Sequence, residues 1–332
     1  ALRVTPKTSG GLFRLPIDRV FSLKGFGTVV TGTAISGSIS VDNMLEILPR
    51  KISTKVRGLH SHGKAITTAY AGQRVAVNLQ SVEKEDLSRG DVAVTPSSFS
   101  PTKTIDAFLE LLSDAPLLKS KSLVHFYIGT AETIARVILY GKEELKAGES
   151  SYCQFRLQDP VVSMSGDRYI IRRFSPLETL GGGAVLDPSP HRRRKRDGLQ
   201  DLEEMNEGGL QQKISLKIEK AGITGVSVNA INGWINADTQ AVAAAVGSLK
   251  KADEIVQHED ILLHRKAFKL MQTKIAGLLS AYHKMHPLKP GMPKEEVRTH
   301  LKIDVKLFNF VLTDSKNITV DKDLARLKDF SI

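Results

Sequence analysis

Few residues in this chain have the types and spacings that chemistry requires. Gly25-Phe26-Gly27-Thr28 comes nearest to a phosphate loop, but it sits in a strand run and no Lys-Ser/Thr pair follows. A phosphate cradle needs a helix N-terminus behind its glycines, so this stretch reads as a glycine-eased bend in a barrel strand. His60-Ser61-His62 offers two imidazoles, yet no Cys, Asp or Glu lies close in sequence to complete a metal shell. Cys153 is the only cysteine. That excludes a disulfide framework and a multi-cysteine zinc site, and fits a reducing cytoplasm. No Ser/His/Asp or Cys/His nucleophile pattern stands out, so catalysis by this chain alone has little support. The run Arg192-Arg193-Arg194-Lys195-Arg196 suits RNA phosphates, and equally a solvated linker.

Charge gives the broader frame. The 332 residues carry 47 Lys and Arg against 36 Asp and Glu, a net +11, with a pI near 9.6. Residues 1–190 hold 23 basic and 18 acidic side chains, and residues 191–332 hold 24 and 18. Both halves are basic, as expected of a protein that meets a polyanion along its length. Outside the five-residue run the second half is nearly neutral, 19 against 18. A composition 41% hydrophobic and 25% charged excludes wholesale disorder. No stretch approaches the roughly 20 apolar residues of a membrane helix, and the first ten residues do not read as a signal peptide.

The elements that position these residues change character along the chain. Up to about residue 186 the pattern is β: in Gln73–Leu79, Val75, Val77 and Leu79 alternate with Arg74, Ala76 and Asn78. Similar runs at 13–17, 27–33, 52–59, 91–95, 105–112, 124–128, 135–140, 152–157 and 169–174 are separated by turn signals such as Ser36-Gly37 and Arg89-Gly90. Many short strands without long helices between them point to barrels or sandwiches. Pro96–Pro101 breaks the β region into two domains, 1–97 and 98–188. After Asp187-Pro188-Ser189-Pro190 the period becomes helical. Leu210, Ile214 and Ile218 form one stripe, and Met271, Ile275, Leu278, Leu279 and Tyr282 another. Each series ends in a short hairpin, at 255–263 and 318–327. Three helices and a hairpin make a winged helix, so residues 189–264 read as a basic linker with a first winged helix, and 265–332 as a second.

Phe13–Thr33, with its Gly27-Thr28-Val29-Val30-Thr31-Gly32, resembles the second domain of translational GTPases. Val56–His60, Ala71–Leu79, Leu87–Asp91, Asp167–Arg173 and Gly181–Pro188 are similar to the selenocysteine-specific elongation factor, SelB, and so is the winged-helix tail. The resemblance covers nearly the whole chain. It implies two translation-factor-type β-barrels followed by two winged-helix domains. Its implied partners are selenocysteinyl-tRNA and the ribosome. It departs from the family in two respects: no amino-terminal GTPase domain is seen, and two winged helices stand where bacterial members have four. GTP and Mg, cofactors of the full-length family, therefore fall on no residue here, and reading of an mRNA hairpin is put in doubt.

By resemblance, Arg19 and Arg74 are the cations of a selenocysteinyl pocket, Asp18 orients or neutralises them, and His60 is a further polar wall. On charge grounds alone an arginine on a barrel strand is an ordinary solvated residue. A competing reading is a winged-helix DNA- or RNA-binding regulator. It requires a strongly basic recognition helix, and neither 239–250 nor 304–312 is one.

Overall fold

A computed structural model describes residues 10–25, 27–191, 193, 198–315 and 317–330. The first barrel uses β1 (Arg14–Leu23), β2 (Gly27–Thr33), β3 (Ser38–Ser40), β4 (Met44–Leu48), β5 (Ile52–Ser61), β6 (Lys64–Ile66), β7 (Thr68–Tyr70), β8 (Arg74–Leu79) and β9 (Val92–Val94). Six of these close a ring in the order β4-β9-β1-β2-β8-β5, because β5 pairs with both β8 and β4. Alternation explains its core: Leu15, Ile17, Val30, Leu45, Ile47, Val56, Leu59, Val75 and Val77 all point inward. The β4 strand, Met-Leu-Glu-Ile-Leu, is absent from the runs read in the sequence. Its apolar residues stand in adjacent pairs, Met44-Leu45 and Ile47-Leu48, on either side of Glu46 and blur the alternation.

The second barrel is closed in the order β10-β15-β13-β12-β16-β17. Its strands are β10 (Thr102–Leu111), β11 (Leu118–Lys119), β12 (Leu123–Ile128), β13 (Ala131–Leu139), β14 (Glu144–Leu145), β15 (Ser150–Val161), β16 (Arg168–Arg172) and β17 (Thr179–Asp187), with β11 and β14 pairing separately. Phe126, Phe155 and Tyr169 meet at its centre with ring centroids 4.9–5.1 Å apart. The glycines of β17 permit closure. A Cβ on Gly183 would stand 1.9 Å from the Phe108 carbonyl oxygen. That close approach explains why β17 carries no strand-forming side chains there and escapes a pattern search.

A buried ion pair joins the two barrels. Arg14, 1% exposed, donates from both terminal nitrogens to Asp167, at 2.6 and 2.9 Å, and from Nε to Ser36 Oγ at 3.3 Å. Asp167 also accepts from the Met164 N–H at 2.8 Å. Around this fork Leu48, Val92, Val94, Phe99, Val162 and Met164 form an apolar seam contributed by both barrels.

The helical part begins with α1 (Gln200–Glu207), which packs on β17. Then follow α2 (Leu210–Ala221), β18 (Val226–Ser227), α3 (Val228–Trp234), α4 (Thr239–Lys251), β19 (Ile255–His258) and β20 (Ile261–His264). The order repeats as α5 (Arg265–Met285), β21 (Met292–Pro293), α6 (Lys294–Leu301), α7 (Val305–Thr313), β22 (Ile318–Asp321) and β23 (Leu324–Leu327). The two small sheets share one topology, β18-β20-β19 and β21-β23-β22. This is the winged-helix order twice over. By compactness the chain forms two units. One runs to Gly208 and includes Asn229–Ala244; the other is Gly209–Val228 with Ala245 onward. Within the first unit, Trp234 donates its indole N–H to Asp187 at 2.9 Å, and the Ser165 N–H donates to the Trp234 carbonyl at 2.7 Å.

Two stability predictions follow from these contacts. Arg14→Met should lower the unfolding free energy by about 3–5 kcal/mol, because it leaves the Asp167 carboxylate buried without its counter-charge. A loss of less than a quarter of that, measured by urea unfolding, would show that the pair does not hold the seam. In the second winged helix, buried His283 accepts from the Leu327 N–H through Nε2 at 3.2 Å and stacks on Phe330 at 3.7 Å. Burial, and then the nearby Arg326 charge, hold its pKa below the ordinary imidazole value. Its contribution is therefore present above the unfolded pKa, near 6.5, and is lost as pH falls through the folded one. The protection factor of the Leu327 amide, its exchange rate relative to the intrinsic rate at the same pH, should fall on going from pH 7.5 to 5, and this fall should disappear in His283→Gln.

Candidate cationic face

The outer face of the first barrel gathers the candidate residues through two irregularities in its ladder. Between Ile17 and Arg19 the β1–β2 register shifts, so Ile17 pairs with Gly32 while Arg19 pairs with Thr31. The extra residue is Asp18. With Ile17 inward, simple alternation would turn Asp18 outward and Arg19 into the core. The bulge instead leaves both outside and returns Val20 to the core. A second shift lies between Val56 and Gly58. It places Arg57 and Gly58 outward in succession, so that Leu59 is buried and His60 is exposed.

Both bulges feed one row. Arg19 on β1 pairs with Thr31 on β2, Thr31 with Ala76 on β8, and Ala76 with His60 on β5. Three strand spacings separate Arg19 from His60, roughly 14 Å, and the side chains between them are a threonine and an alanine. The row is a shallow trough with a cation at one end and an imidazole at the other.

Asp18 organises the trough. Its Oδ1 accepts from Thr31 Oγ1 at 2.7 Å and its Oδ2 from Arg74 at 2.6 Å. Partial burial pushes the carboxyl up. Hydrogen bonds from Thr31 and Arg74, with the charges of Arg74 and Arg19, outweigh that and hold it below the usual carboxylate range. Arg74 is thus partly neutralised, with its side chain 54% exposed. Arg19 is exposed and, among the described residues, has no hydrogen-bond or ion-pair partner. One carboxylate and two guanidiniums leave one net positive charge in the trough, carried by Arg19. Thr31 is the member that sequence reasoning missed. Its signal was available in the register of β1 against β2, where a hydroxyl on the outward parity faces the one acidic residue of the strand.

The basic run behaves differently. Arg193 is folded in: it meets Asp106 at 3.4 Å, pairs with Asp201, donates to the Gly198 carbonyl at 2.9 Å and lies over the Tyr140 ring at 5.5 Å. Asp106 is 2% exposed and accepts from Tyr140 at 2.9 Å and Gln154 at 3.0 Å. Burial raises its pKa against those hydrogen bonds and the Arg193 charge. The structure therefore spends Arg193 on closing the end of the second barrel, and its guanidinium is not presented for an RNA phosphate. Arg192, Arg194, Lys195 and Arg196 lie outside the described residues.

The remaining candidates take ordinary places in the fold. Gly25 and Gly27, both at positive φ, lie at the turn between β1 and β2, with a strand rather than a helix N-terminus behind them. No group of three or more His, Cys, Asp or Glu among the described residues is placed to hold a metal. Among the same residues, no helix is long and apolar enough to cross a membrane.

The fold and this face define a class: translation-factor barrels carrying a winged-helix arm. Residues 27–94 match the model of elongation factor Tu domain 2, residues 105–192 that of the selenocysteine-specific elongation factor β-barrel domain, and residues 277–324 that of the elongation factor SelB winged helix. The chain belongs to the selenocysteine-specific elongation factor family. A member from Desulfomicrobium baculatum is 31% identical over 97% of this chain and 52% of its own length. One from Escherichia coli is 31% identical over 86% and 44%. The chain thus spans about half the length of these relatives. A crystal structure of bacterial selenocysteine-specific elongation factor EF-Sec matches 96% of this chain and half of its own with a TM-score of 0.77 at 20% identity, a likeness of fold.

The clamp on Arg74 is directly testable. Thr31→Val should raise the Asp18 carboxyl toward its ordinary value, followed by NMR titration of its side-chain carbonyl carbon. An unmoved midpoint would show that Thr31 does not set the carboxylate.

Proposed function

We propose that the outer face of the first barrel binds the aminoacyl end of selenocysteinyl-tRNA, for delivery to the ribosome at recoded UGA codons. The observation that carries this reading is the unpaired Arg19 guanidinium, set outward by the Asp18 bulge beside the clamped Arg74. A selenol is more acidic than a thiol and is largely anionic at neutral pH, whereas the serine hydroxyl of the precursor is neutral. A trough with one net positive charge separates the two by charge. Arginine suits the task because it stays protonated and offers several directed donors. Asp18 supports the reading in two ways. It fixes the Arg74 fork in advance of ligand, and it keeps the trough from binding every anion strongly. His60 closes the far end of the row as a polar wall.

The same geometry ranks the two arginines. Arg19→Ala should reduce the preference for selenocysteinyl- over seryl-tRNA by ten- to a hundredfold, the value of a charge-assisted contact of about 1.5–3 kcal/mol. Arg74→Ala combined with Asp18→Asn should cost severalfold less, because that pair carries no net charge and the trough keeps the charge of Arg19. Competition binding between the two aminoacyl forms measures both ratios. Equal, unchanged ratios in the two variants would place discrimination elsewhere.

A further inference from the structure

The charge of the helical region is near balance overall, yet it is not evenly spread. Helix α5 is 21 residues long and holds five Lys and Arg, namely Arg265, Lys266, Lys269, Lys274 and Lys284, with no Asp or Glu. Its buried side, with Phe268, Met271, Ile275, Leu279 and Tyr282, forms the core of the second winged helix. The opposite side carries the charge. Arg265 meets Asp253 and Asp314, and Lys266 meets Glu219 at 2.7 Å. The nearby carboxylates are thereby committed to the first turn of the helix. Lys269, Lys274 and Lys284 are exposed and have no ion-pair partner among the described residues.

Between these lysines most exposed side chains are small, Leu270 being the exception. Thr273, Gly277 and Ala281 are exposed, Ser280 is half-buried, and a Cβ on Gly277 would meet nothing within 4 Å. A groove runs beside this strip, lined by Gln272, Thr273, Ser280, Ser315 and Asn317, with Asp253 and Asp314 at its head held by Arg265. At its head the Arg265 Nε–H is buried without an acceptor. Lysines separated by about 7.5 and 15 Å along a rigid axis, around a strip that admits close approach, form a surface for a repeating anion. An acidic protein would also meet the charge, but Leu270 is the one large apolar side chain exposed between Lys269 and Lys284, too little for a protein interface core. By contrast α7, the third helix of its module, carries Lys306 alone, and Glu259 engages that ammonium at 2.8 Å.

We infer that the exposed face of α5 is a sequence-independent landing surface for the phosphate backbone of double-helical RNA. Choosing RNA rests on the reading of the chain as a tRNA-handling factor, while the surface itself is independent of the aminoacyl trough. The lysines neutralise phosphates, and the Ser280 hydroxyl and Asn317 amide of the groove hydrogen-bond to the sugar-phosphate edge, the donors of Gln272, Thr273 and Ser315 being committed within the fold.

The test uses the full chain and a blunt RNA duplex of about 16 base pairs, with affinity followed by fluorescence anisotropy across a salt series. The combined Lys269→Gln, Lys274→Gln, Lys284→Gln variant should reduce the slope of log K against log salt by about 2–3. A control with Lys302→Gln, Lys306→Gln and Lys322→Gln should leave the slope unchanged. Gly277→Gln, which adds bulk without charge into open space, should weaken binding severalfold at an unchanged slope. An unchanged slope in the α5 variant, or an equal drop in the control, would overturn the inference. Selenocysteinyl-against-seryl preference, measured in the same variants, should not move. That separates failure of this surface from failure of the barrel trough.

Discussion

The Arg14–Asp167 fork is the contact on which the barrel pair depends. A guanidinium 1% exposed cannot remain in an apolar seam unless every donor is answered, and here Asp167 and Ser36 answer all three nitrogens. The fork is directional, so it fixes the rotation of one barrel on the other as well as their separation. Leu48, Phe99, Val162 and Met164 fill the space around it without imposing a unique angle. A seam that cannot rotate gives the first barrel a fixed frame, and the outer trough inherits it.

Within that frame, backbone irregularity and not side-chain choice decides what the trough presents. Arg19 and His60 both sit at positions that strict alternation assigns to the core. Each is turned outward by a one-residue bulge in its own strand. Bulges re-aim side chains at the cost of an unpaired residue, and the cost here is borne by Asp18 and Arg57. In the first case the displaced residue becomes useful. Asp18 bridges Thr31 and Arg74, so the bulge that frees one arginine also ties down the other.

The basic residues divide into two roles that the composition does not distinguish. Arg193 closes the end of the second barrel through Asp106 and Asp201, and Arg14 closes the seam. Lys269, Lys274 and Lys284 remain in solvent. At these two internal positions the cation is a guanidinium, planar and weakly hydrated, while the three α5 ammonium groups keep their water. A net charge of +11 therefore overstates what is available to a polyanion in some places and understates it on α5.

Much of the fold was legible in the sequence. Period-two alternation marks Val75, Val77 and Leu79 as core, and helical spacing marks Met271, Ile275 and Leu279. Both patterns are local, because burying one face is a demand on each segment alone. The repeated order of helices and hairpins after residue 209 was legible for the same reason. The candidate site was legible only in part. Asp18, Arg19, Arg74 and His60 came from resemblance, and nothing in the local pattern showed that Arg19 and His60 face outward. Tertiary structure alone decided the partner of Arg14, 153 residues away, the packing of α1 on β17, the commitment of Arg193 to Asp106, and the clamp of Thr31 on Asp18. These depend on which strands become neighbours and in what register. A sequence encodes that only through the sum of all its contacts, whereas burial of a single face is written in every few residues.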